Sequence, residues 1–204
     1  MTFQNLTIKP LAFALVSAVA LSACMGGMHH SDSPMASSNG MAAMHEDPMV
    51  GGAAMYASKD IIDNAVNSKD HTTLVAAVKA AGLVNTLKGP GPFTVFAPTN
   101  AAFDMLPAGT VDTLLKPANK ATLTKVLTYH VVPGRLDSAA LAEKIEAGGG
   151  TATLTTVQGE PLKVSMQGSS VVVTDTKGNV ATVTTADVYQ KNGVIHVVDK
   201  VLMP

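Results

Sequence analysis

Thr94-Val-Phe-Ala-Pro-Thr-Asn-Ala-Ala-Phe103 reads as a strand, a corner and the first turn of a helix. Phe93 to Ala97 is a short apolar run, rich in residues that suit a buried strand. Pro98 ends it, because proline offers no N–H to a ladder. Thr99 is a good helix N-cap, since its hydroxyl accepts from an orphan backbone N–H. Ala101, Ala102, Phe103 and Leu106 then line one apolar helical face.

On either side of this corner the first half of the chain has a helical period. Ser58 is placed to cap a helix through Ile61, Ile62, Ala65 and Val66. Asp70 or Thr72 caps a second, with Leu74, Val75, Val78 and Ala81 on one face and Gly82 as its stop. Thr110 caps a short helix through Leu114 and Leu115. From Asn119, Leu123, Val126, Leu127 and His130 follow the spacing of one helical face. That puts His130 on an apolar stripe, as a core histidine with a hydrogen-bond partner. Ser138 caps a helix through Leu141 and Ile145. From Thr151 the period alternates, and strands are expected at 151–157, 162–167, 170–176, 180–185 and, after the turn Asn192-Gly193, 194–202. Helices first and strands later give an α+β fold rather than an alternating series, with the Thr94 strand joining the late ones.

Three segments carry a resemblance: the Thr94 corner, Tyr129-His-Val-Val-Pro-Gly134, and the closing stretch Gly193-Val-Ile-His-Val-Val-Asp-Lys-Val-Leu-Met-Pro204. In this order and spacing they resemble the signature segments of the fasciclin (FAS1) domain family, over one domain at 55–204. The resemblance implies the FAS1 fold, a wedge-shaped β-sandwich with helices packed along one edge. It also implies a role in cell adhesion, by binding a protein or matrix partner, with no cofactor and no turnover. Two adhesion determinants of the family fall on this chain, at Tyr129-His130 and at Asp187-Val188. The second has Val where the family has Ile. Tyr129 and His130 equally suit a core, whereas an unpaired buried Asp187 would be costly, which favours a surface position for it.

The N-terminus reads as an address. Leu11 to Ala20 is apolar throughout, long enough for a signal peptide and too short to span a bilayer. Leu21-Ser-Ala-Cys24 follows and resembles the lipobox of bacterial lipoproteins, which implies removal of residues 1–23 and acylation of Cys24. Cys24 is the only cysteine, so no disulfide forms within the chain. Residue 25 is Met rather than Asp, which makes the outer membrane the expected destination within the cell envelope, facing the periplasm or the surface. Residues 24–54, rich in Met, Gly, Ser, Ala and His, show no period and read as a disordered tether.

Seven of the eleven Met residues, Met25, Met28, Met35, Met41, Met44, Met49 and Met55, and three of the six His residues, His29, His30 and His45, lie in or next to that tether. Thioether and imidazole together suit Cu(I) or Ag(I), with Met28, His29, His30, Met44 and His45 as candidate ligands. The alternative is compositional drift in a linker. Elsewhere the chain is sparing in chemistry. Net charge is −1, with 14 basic and 15 acidic side chains and no basic stripe, which argues against a nucleic-acid partner. There is no nucleophile elbow and no phosphate loop. His71 is expected at a solvated helix start and His196 buried on the last strand. An enzyme working through His130 is the last alternative.

Overall fold

The computed structural model describes residues 47–204. A small hairpin comes first: β1 (Met49–Val50) pairs with β2 (Ala53–Ala54) across Gly51-Gly52. Both glycines have positive φ, +60° and +75°, as a tight two-residue hairpin turn requires. Val50 is buried and Met55, just after the hairpin, is fully in the core. The domain therefore begins before residue 55, and the expected tether of 24–54 is corrected at its end. Met55 is a core residue, not a tether methionine.

Helix α1 (Ile61–Ala65) is capped by Asp60, whose carboxylate accepts from Asp63 N at 2.8 Å. After one 3-10 turn comes α2 (Thr72–Ala81), which stops at Gly82 in the left-handed region. There Leu83 N donates to Val78 O at 3.0 Å. Next are α3 (Val84–Leu87), β3 (Phe93–Pro98) and α4 (Asn100–Asp104). Thr99 Oγ1 caps α4 by accepting from Ala102 N at 3.3 Å, as the sequence predicts. Helices α5 (Thr110–Leu115) and α6 (Lys120–Tyr129) lead into β4 (Val131–Pro133). Helix α7 (Ser138–Ala147) is capped by Asp137, which accepts from Ala140 N at 2.9 Å. Asp60 and Asp137 thus replace the expected caps Ser58 and Ser138. In each case the carboxylate occupies the extended backbone position from which an acceptor reaches the first turn.

The late strands are β5 (Thr151–Thr155), β6 (Pro161–Gln167), β7 (Ser170–Thr174), β8 (Val180–Gln190) and β9 (Gly193–Val198). They form one sheet in the order β4-β3-β9-β8-β7-β6-β5. All pairs are antiparallel except β3 with β9, which run parallel from Phe93↔Gly193 to Pro98↔Val198. Strand β8 is longer than expected, because two register shifts, between Val183, Thr185 and Val188, break its alternation. Its first residues pair with β7 and its remainder with β9. Such irregularities bend a strand, and here the bend folds the sheet onto itself as a sandwich. The edges meet where Val157 N donates to Val131 O at 2.8 Å. This is an α+β fold with two cores. One lies inside the folded sheet, with Phe96, Tyr129, Leu141, Leu162, Val173 and Leu202. The other lies between the sheet and helices α1, α2 and α6, with Ile61, Leu74, Val78, Leu123, Val188 and Ile195.

Candidate binding site

Tyr129 and His130 stand at the junction of α6 and β4, and their side chains enter different cores. Tyr129 is fully buried among the sandwich residues. Its hydroxyl donates to Pro161 O at 3.0 Å and accepts from Thr176 N at 3.2 Å. One side chain thereby ties the start of β6 to the turn before β8. Burial raises the phenol's pKa, so it stays protonated.

His130 is 3 % exposed and caps the C-terminal end of α6. Its partners fix its tautomer. Val126 O, 2.7 Å from Nδ1, can only accept, so Nδ1 carries the proton. Leu202 N, 3.0 Å from Nε2, can only donate, so Nε2 is bare. A neutral ring fits both and an imidazolium fits only one. Burial accordingly lowers the pKa to about 4, against weaker opposing effects of the Val126 carbonyl and the Asp175 charge. A general base needs a free lone pair facing a substrate. The Nε2 lone pair faces the backbone of Leu202 instead.

Asp187 and Val188 sit at the second irregularity of β8. Asp187 has φ +58°, a left-handed conformation that aspartate tolerates better than most side chains. Its carboxylate turns to the start of α7, accepting from Ser138 N at 2.6 Å and from the Ser138 hydroxyl. It is half-buried and partnered, which corrects the expectation of a free surface carboxylate. Its backbone N–H points at Nδ1 of His196, 3.4 Å away, while His196 Nε2 donates to Leu136 O at 2.7 Å. His196 is therefore buried and satisfied, as expected, and burial lowers its pKa. Val188 is 1 % exposed, in the helical core.

Three of the four predicted contact residues, Tyr129, His130 and Val188, are thus interior. They can act on a partner only by shaping the surface above them. The structure brings His130 and Val188 together at one place, the wall of an apolar cavity of about 50 Å³ beneath α1 and α2. The sequence did not mark His71 as part of that wall. It is 3 % exposed rather than solvated, because the Gly51-Gly52 turn packs over the start of α2. Its Nδ1 lies 2.9 Å from Ser68 Oγ and its Nε2 has no hydrogen-bond partner. Burial lowers its pKa, with the Asp70 charge and the Ala97 carbonyl opposing. Among the described residues no three His, Cys, Asp or Glu side chains cluster to hold a metal ion. Cys24, the signal segment 1–23 and the candidate ligands Met28, His29, His30, Met44 and His45 lie outside the described residues.

The fasciclin domain model matches residues 69–204. The chain belongs to the fasciclin domain family. Protein sll1483 of Synechocystis is 45 % identical over 164 residues, which cover 80 % of this chain and 84 % of that protein. The cell surface glycolipoprotein MPB83 of Mycobacterium bovis is 36 % identical over 159 residues, 76 % of this chain and 64 % of its own length. A solved FAS1 domain pair from the insect cell adhesion molecule fasciclin I superposes with a TM-score of 0.50 at 24 % identity, over 64 % of this chain and 43 % of that one. That likeness shows the FAS1 fold. The fasciclin relatives support a binding or adhesion type of role and an extracytoplasmic, surface-associated setting.

Proposed function

We propose that this fasciclin-domain chain is a lipid-anchored protein of the bacterial cell envelope that works by adhesion, binding a protein or matrix partner through its outer surface. One observation carries the reading. The polar atoms of the signature residues Tyr129, His130, Asp187 and His196 are all engaged with the chain's own backbone or with Ser138. Nothing at these positions is held ready for turnover, so the outward chemistry of the domain is that of its surface. The lipobox-like Leu21-Ser-Ala-Cys24 supports the anchor, and MPB83, a glycolipoprotein by name, supports the same setting. With residues 1–23 removed, 13 basic and 15 acidic side chains remain, a net −2 that gives no electrostatic pull toward an anionic membrane. Acyl chains on Cys24 would supply that attachment, two being enough for stable anchoring.

The test has two arms. Mass spectrometry of the mature chain should find Cys24 acylated and N-terminal, and Cys24→Ser should release the protein from the membrane fraction. Cells lacking the chain should attach poorly to a matrix-coated surface, with attachment restored by the wild type and not by Cys24→Ser. An unmodified Cys24 would overturn the anchor, and undiminished attachment would overturn the adhesion.

A further inference from the structure

The helical core holds the cavity that the sandwich core lacks. Its wall is formed by the hairpin residues Val50 and Met55, by α1 and α2, and by β3 and β9. Most of the wall is buried. Ala65, Val75 and Lys79 are the wall residues that reach solvent, so the cavity opens between the end of α1 and the middle of α2. Lys79 is exposed there, and no carboxylate among the described residues pairs with it.

Three physical facts select the occupant. The wall is almost wholly apolar, so a water inside would find no second polar partner and would not stay. A volume of about 50 Å³ is well below the roughly 150 Å³ that accommodates a benzene ring. The space therefore suits the narrow end of an unbranched chain rather than a ring. The cation at the rim favours an anion outside the mouth. We propose that this cavity is a binding site for a single alkyl chain bearing an anionic head, with the chain end between α1, α2 and the sheet and the head at Lys79. The site is separate from the anchor on Cys24 and from partner binding, and its failure would leave both untouched.

Dodecanoate is a suitable probe, titrated calorimetrically into the chain carrying Cys24→Ser so that no anchor or detergent competes. The His71 ring is followed by NMR as a reporter inside the wall. The expected result is saturable one-to-one binding with a shift of the His71 ring resonances. Val78→Phe, which fills the cavity, should abolish binding. Lys79→Glu, at the exposed rim, should weaken it about fivefold without changing the melting temperature. Should Val78→Phe fail to fold, Ala65→Leu at the half-buried mouth blocks the same entry. Dodecyl phosphate should bind like dodecanoate, dodecanol more weakly, and phenol not at all. Absence of saturable binding would overturn the proposal. So would binding that survives both the cavity-filling variants and Lys79→Glu, or that leaves the His71 ring unmoved.

Discussion

The two cores of this domain are built to different tolerances. Inside the folded sheet, Tyr129, Leu141, Leu162, Val164, Val173 and Leu202 are at 0 % exposure, and the hydroxyl of Tyr129 has both a donor and an acceptor partner. Beneath the helices, Leu74 retains 8 % exposure, a cavity persists, and His71 Nε2 has no partner. A strand ladder fixes its side chains at a regular spacing, so facing residues interdigitate to crystal-like density. Short helices of four to ten residues meet the sheet at several angles and leave gaps. The difference teaches where this fold carries its stability and where it can take something in.

The hardest test of that contrast is truncation. Leu162→Ala in the sandwich should lose about 4 kcal/mol, toward the upper end of such changes, while Leu74→Ala should lose about 2. Urea denaturation of both variants measures this, and equal losses would break the comparison.

Acid is the next probe. His130 titrates near 6.5 when unfolded and at about 4 when folded. Below 6.5 the unfolded chain takes up a proton that the folded chain refuses. Stability contributed by the neutral ring is thus complete above pH 6.5 and is lost as pH falls toward 4. The loss is roughly 3 kcal/mol, at about 1.4 kcal/mol per unit of pKa difference. Denaturation midpoints between pH 7 and 4 should fall more steeply for the wild type than for His130→Gln. Parallel slopes would show that His130 is not held neutral.

Asp187→Ala removes the carboxylate that meets Ser138 and places alanine in a left-handed conformation. A loss of about 1–2 kcal/mol is expected in thermal melts. If partner attachment falls in step with stability, Asp187 acts through the fold. If attachment falls much further, the region around it is a contact. The smallest effect sharpens the comparison from the other side. Val78→Ile adds a methyl group toward the cavity and should gain about 0.5 kcal/mol. Val164→Ile adds the same group to the full sandwich and should lose about 1.

Much of this was legible in the sequence because it rests on local chemistry. The strand, proline and threonine cap at Phe93–Thr99, the alternation after Thr151 and the apolar stripe leading to His130 each carry their reason within a few residues. What escaped depends on contacts between distant segments. The Gly51-Gly52 hairpin sits in a linker-like composition, although two glycines between Met49-Val50 and Ala53-Ala54 are themselves a hairpin signal. Without the hairpin, His71 looks like a solvated helix start; beneath it, His71 is a wall residue. The length of β8 was hidden because Asp187 and the two register shifts interrupt the alternation that marks a strand. The role of Asp187 required knowing that Ser138, 49 positions away, would stand opposite it.

Strand β9 lies in the middle of the sheet although it is the final strand to be made. It joins β3, about a hundred positions earlier, to β8, and Leu202 beyond it bonds to His130. Until Gly193–Leu202 has left the ribosome, the earlier strands have no template on which to assemble. A growing polypeptide of this kind stays loose through nearly all of its synthesis, which is the state in which a secretion channel can thread it.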